Sequence, residues 1–348
     1  MRRRVGKSIK IFTFRLFSVI IIIMKIRIII ILTICSFFLA ACSSIQKLAM
    51  NMVGDALTGD GGSDVFTGDS DPELVGDAIP FAIKLYETLL SGNPEHQGLI
   101  NMTGSLFVMY ANAFVQGPAE MLPRVQYEAK QAAMERARNM YLRGLSILYR
   151  GLDLKYRGFS EAYKNGKLSE VLAKMKKEDV SALYWSAAAG VSAFSLNPFE
   201  LSVGVRLPEF YAIVERAYQL DPDFNDGALD EFLLMFHASV PDSMGGDKSK
   251  VETHFTRALE KSEGKSAGTY VAYATSVCVP AQNYEKFKEM LEKALAIDIN
   301  SNPSNRLVNV INQRKARYLL ASASQYFIFI NFDDDDDWDD EDWENEDW

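Results

Sequence analysis

Apolar residues recur three and four positions apart from about residue 72 to residue 327, the spacing that lines one face of a helix. Ile79, Ile83, Tyr86 and Leu90 form the first such stripe. Asp71 followed by Pro72 fits an N-cap and a first helical position, and Gly92-Asn93-Pro94 stops the run. Pro80, inside that run, predicts a kink or a later start. The same periodicity predicts helices over 106–114, 127–154, 159–163, 182–194, 208–220, 229–238, 251–261, 269–277, 284–297 and 306–327. No alternating run bounded by hairpin turns interrupts them, so the body is expected to be all-α.

A weak repeat runs through the second half. Glu215-Arg216-Ala217-Tyr218, Thr256-Arg257-Ala258-Leu259 and Glu292-Lys293-Ala294-Leu295 align on their alanines, at spacings of 41 and 36 residues. Those intervals lie near the roughly 34-residue period of tetratricopeptide (TPR) repeats. A small residue there lets paired helices approach closely, and Asp221-Pro222 forbids continuation into another turn. A plain antiparallel bundle shows the same spacings, so helix-turn-helix repeats and a bundle both fit the periodicity.

Charge divides the chain. Residues 1–41 carry eight basic residues and no acid, and 333–348 carry twelve acids and no base, so the net charge of −9 is not a property of the body between them. No basic stripe survives in that body, which argues against a nucleic-acid partner. From Met24, the sequence has Lys25 and Arg27, an apolar run over 28–38, then Leu39-Ala40-Ala41-Cys42. This is the layout of a secretory signal. Its ending resembles the lipobox of bacterial lipoproteins, which implies acylation at Cys42 and a membrane-anchored chain facing the periplasm. The stretch before Met24 predicts that Met24 is the true start. Residues 42–71, rich in Gly, Asp, Ser and Thr towards their end, are expected to be a flexible linker between the lipid anchor and a helical domain over 72–330. The acidic segment 331–348, with Trp338, Trp343 and Trp348 five residues apart, reads as a disordered tail; its tryptophans would also suit docking onto a basic patch.

Catalytic signatures are missing from the sequence. His96, His237 and His254 show no paired metal-ligand spacing, and no P-loop, nucleophile elbow or dinucleotide fingerprint occurs. Of the three cysteines, Cys278 is the one left for the body; between Val277 and Val279 it reads as a small buried hydrophobe. No enzyme, metal or cofactor is expected. Aromatic residues cluster centrally, and Tyr184 and Trp185 suit either core packing or an apolar passage for a small hydrophobic ligand. Asn112 and Gln116, four apart on an apolar stretch, would supply polar contacts to such a ligand or partner, or would bridge helices.

Several ordered runs resemble the T component of TRAP (tripartite ATP-independent periplasmic) transporters, a family of TPR-like periplasmic lipoproteins. They include Phe66-Thr67-Gly68-Asp69-Ser70-Asp71-Pro72, Gly104-Ser105-Leu106-Phe107-Val108-Met109-Tyr110-Ala111-Asn112-Ala113-Phe114, Tyr184-Trp185-Ser186-Ala187-Ala188-Ala189-Gly190 and His254-Phe255-Thr256-Arg257-Ala258-Leu259. Gly245-Gly246-Asp247-Lys248 and Asn312-Gln313-Arg314-Lys315-Ala316 extend the series, which spans roughly 66–328. The acidic tail and the doubled leader depart from the family pattern. The resemblance implies a non-catalytic accessory protein, a homo-oligomer of TPR-like helical repeats, that binds the periplasmic solute-binding protein and assists ligand delivery. The rival reading is a TPR-like lipoprotein scaffold for envelope or outer-membrane assembly.

Overall fold

The computed structural model describes residues 54–58 and 64–328, and every regular element among them is helical. The leader, Cys42 and the acidic tail from Asp333 lie outside the described residues. Helix α1, Pro72–Gly92, starts as its cap dictates: the Leu74 N–H donates to the Asp71 carboxylate at 2.9 Å. Val75, Ile79, Ile83, Tyr86 and Leu90 are buried along one face, while Leu74, Phe81 and Leu85 remain exposed. Helix α2, Gln97–Tyr110, passes through a wide π-turn at Ala111–Gln116 and ends with Gly117–Glu120. Length and composition would let Gln97–Glu120 cross a membrane, yet half of its most apolar window is buried within the protein. Its role here is to pack against α3, Tyr127–Lys155. Gly104 and Gly144 permit that approach, because a Cβ on Gly144 would lie 2.9 Å from the Gly104 carbonyl oxygen.

Each long helix then packs on the next: α3 on α4 (Val180–Leu196), α4 on α5 (Leu207–Leu220), and onward to α6 (Ala228–Ser239) and α7 (Val251–Lys261). Helices α8 (Ala267–Tyr273), α9 (Tyr284–Leu295) and α10 (Arg306–Ala321) complete the series. The three repeat alanines occupy α5, α7 and α9, and Ala217, Ala258 and Ala294 are all buried. Each of those helices packs on the one before it, an arrangement that repeats and a plain bundle share.

The array closes on itself. Leu307 of α10 is buried in the same apolar cluster as α1 and α2, and Arg306 Nη1 donates to the Gly68 carbonyl at 2.8 Å. Arg314 pairs with Glu73 of α1, and Lys315 Nζ lies 2.7 Å from Glu120 at the end of α2. Contacts that join the first and last long helices of the described body require the intervening helices to turn back on themselves.

Three local readings need revision. Pro80 does not mark a later start: α1 runs from Pro72 through it, with the buried stripe on both sides. The helix expected over 269–277 changes to a π-turn at Ala274–Cys278, just as α2 does, since one extra residue in a turn leaves the apolar spacing almost intact. The flexible-linker reading of 42–71 narrows at its C-terminal end. Leu57 and Phe66 pack against the core, and the Tyr86 hydroxyl donates to the Leu57 carbonyl at 2.8 Å.

Candidate binding surfaces

The residues singled out in the sequence fall into two clusters. Around Gln116, the Tyr141 hydroxyl donates to Oε1 at 2.7 Å while Nε2 donates to Glu120 Oε1 at 2.7 Å. Glu120 takes Lys315 on its other oxygen, and its carbonyl accepts from Lys130 Nζ at 3.1 Å. Burial raises the Glu120 carboxyl, but Lys315, Gln116 and Lys130 outweigh it and hold the pKa below the usual carboxylate range. Burial likewise lifts the Tyr141 phenol, opposed by Asn112 beside it. Gln116 thus bridges α2 and α3 at the seam where α10 closes the array, whereas Asn112 remains exposed.

Tyr184 and Trp185 lie elsewhere, stacked edge to face with ring centroids 5.1 Å apart. Phe224 and Phe232 sit 5.4 and 6.4 Å from Tyr184. Sequence reading missed their most distinctive neighbour. Burial first, and then the Glu231 carboxylate, raise the Tyr184 pKa; Glu231 accepts from Thr269 Oγ1 at 2.8 Å and is itself raised by burial. The signal was present in Asp230-Glu231 heading the apolar Phe232-Leu233-Leu234, an acidic pair that one helical face cannot wholly expose. Aromatic faces beside a desolvated carboxyl can hold an amphipathic ligand by its apolar body and orient its polar end.

A third feature is a groove of about 580 Å³ between α1, α2 and α3. Ile83, Phe107, Tyr110 and Met140 form its apolar floor; Lys84, Arg136 and Arg143 outnumber its single acid, Glu135. Arg143 lies over the Phe107 ring at 4.7 Å and Arg136 over Tyr110 at 5.7 Å.

The histidines serve structure. His96 caps α2 by accepting from the Leu99 N–H at 3.2 Å. His254 Nδ1 lies 2.7 Å from Asp230 Oδ1. His237 is fully buried, stacked on His254 at 5.6 Å, and neither of its ring nitrogens has a hydrogen-bond partner among the described residues. Burial first, then Lys250 and His254, push its pKa down to about 4, opposed by Asp247 and Glu215. A folded-state pKa below the unfolded value of 6.5 means that the unfolded chain binds the proton more tightly. Stability should therefore fall as pH drops through 6.5 towards 4, by up to about 3 kcal/mol. Urea melts at pH 7.5 and pH 4.5 check this, and His237→Leu is expected to shrink the difference; an unchanged difference would remove His237 as its cause. Cys278 is buried, and desolvation pushes its thiol up to about 11, which leaves it a poor nucleophile.

Comparison with known proteins places these features in a family setting. An uncharacterized protein of Treponema pallidum (strain Nichols) is 35% identical over 267 residues, covering 76% of this chain and 83% of that protein. The model of the TRAP transporter T-component family matches residues 68–327, from the turn held by Arg306 to the last packed aromatic of the body. With nearly the whole described helical body matched, the chain belongs to the TRAP transporter T-component family.

Proposed function

We propose that the chain is a non-catalytic accessory lipoprotein, anchored by an acylated Cys42 and facing the periplasm, that binds the solute-binding protein of its TRAP system and assists ligand delivery. The observation that carries the reading is the family match across 68–327. The packing of α5, α7 and α9 on their preceding helices fits TPR-like repeats, whose stacked surfaces suit protein partners. Tyr184 and Trp185, with Glu231 beside them, offer a place for a small hydrophobic ligand with a polar end. Asn112, exposed on α2, and Gln116 contribute polar surface near the seam. Self-association into a homo-oligomer belongs to the same reading.

The test is a pull-down from periplasmic extract with the soluble form, residues 43–348, followed by mass spectrometry of bound proteins and extracted small molecules. A TRAP-type solute-binding protein is the expected partner. Recovery of envelope-assembly proteins alone would overturn the transport role and favour a scaffold.

A further inference from the structure

We propose that the groove between α1, α2 and α3 is the docking site of the chain's own acidic tail, with a tail tryptophan on its apolar floor. The tail is the part of this chain that the family does not explain, since the match ends at residue 327 and the twelve acids begin at Asp333. Its composition complements the groove. Trp338, Trp343 and Trp348 are spaced among carboxylates, and the groove sets Lys84, Arg136 and Arg143 around a floor of Ile83, Phe107, Tyr110 and Met140. Glu87 is shared between Lys84 and Arg143, while Arg136 has no carboxylate partner among the described residues. An acidic, aromatic segment would satisfy both the unpaired cation and the apolar floor, by charge-assisted hydrogen bonds and by stacking under the guanidinium groups.

The tail also starts in the right place. Gln282 fixes the chain before it leaves the body, donating to the Tyr326 carbonyl and accepting from the Ile328 N–H, both at 3.0 Å. Lys315 of α10 contacts Glu120 at the end of α2, and α10 ends at Ala321, five residues before Tyr326, so the tail leaves the body from the element that meets the end of α2. Lys130 of α3 already contacts the Glu120 carbonyl, and the groove's α3 lining begins two residues on, at Ala132. From Lys130 to Arg143 is about 20 Å along a helix. The eleven residues from Phe327 to Trp338 span up to about 36 Å when extended. The first tryptophan therefore reaches the groove with slack, and the acids before it pass Lys315 and Lys130 on the way.

Fluorescence tests this directly, because three of the four tryptophans lie in the tail. In the full chain carrying Trp185→Phe, all indole emission comes from the tail. That emission is expected to be blue-shifted and shielded from acrylamide. Raising NaCl to 0.5 M, or replacing Asp333 to Asp337 by asparagine, should shift it red and raise the quenching constant roughly two-fold. The asparagine series leaves the folded body untouched, so loss of shielding there cannot come from unfolding. Arg136→Glu is expected to release the tail similarly, while Lys293→Glu on α9 should not. Indoles as quenchable as those of a free 329–348 peptide, or indifferent to the asparagine series, would overturn the proposal. Shielding that disappears on dilution would overturn it too, by assigning the groove to a second copy's tail.

Discussion

Arg206→Ala is expected to destabilise the protein by about 3–5 kcal/mol, because it strands a buried charge. Glu209, in the first turn of α5, is only 1% exposed. Its carboxylate accepts from Arg206 Nε at 2.7 Å and Nη2 at 3.0 Å, and from the Tyr149 hydroxyl of α3 at 2.7 Å. Arg206 also covers the rings of Tyr149 and Phe210 at 5.0 and 5.1 Å. Without the guanidinium, the carboxylate keeps one hydroxyl partner in a site from which water is excluded. The reverse change, Glu209→Gln, leaves a partly exposed Arg206 that water can solvate, so it should cost less, about 1–2 kcal/mol. Replacing both residues by methionine should recover much of the loss, since an apolar pair of similar length removes the desolvation penalty. Urea denaturation of the four proteins checks the set. A loss below about 1 kcal/mol for Arg206→Ala would mean that the pair behaves like an exposed one.

That pair shows where sequence reading stops. Local rules recovered much of the fold: the Asp71 cap and Pro72 start set one helix boundary, and 251–261 emerged residue for residue as a helix. Periodicity is a local property, so helix existence was legible. Closure was not. The Arg314–Glu73 and Lys315–Glu120 contacts join residues 241 and 195 positions apart, and nothing in the spacing of either helix announces its partner. The candidate residues divide along the same line. Gln116 was legible as a polar residue on an apolar stretch, suited to a ligand contact or a helix bridge, but its partner Tyr141 lies on another helix. The Asp230-Glu231 pair signals that an acid must turn inward, but not that the hydroxyl of Thr269, 38 residues on, holds Glu231.

Gly190→Val is expected to destabilise the protein by about 3 kcal/mol or more, and Gly190→Ala should cost about 1–2 kcal/mol. Intrinsic propensity argues the other way. Alanine in place of a mid-helix glycine gains about 0.5–1 kcal/mol. Packing decides the sign, because a Cβ at Gly190 would fall well inside van der Waals contact with three carbons of the Phe210 ring. That ring is fully buried and lies under Arg206, so it has no free space to enter. Ala187, Ala189 and Ala193 are fully buried on the same helix, which shows how closely α4 and its neighbours are drawn together. If the clash is the cause, Phe210→Leu should relieve it. The double variant Gly190→Ala/Phe210→Leu would then be more stable than the sum of its single changes by about 1 kcal/mol or more, as contacting residues allow. Thermal or urea melts of the four proteins measure that coupling. Additive losses, or a Gly190→Ala protein more stable than the parent, would show that α4 and α5 can separate here and that propensity governs the position.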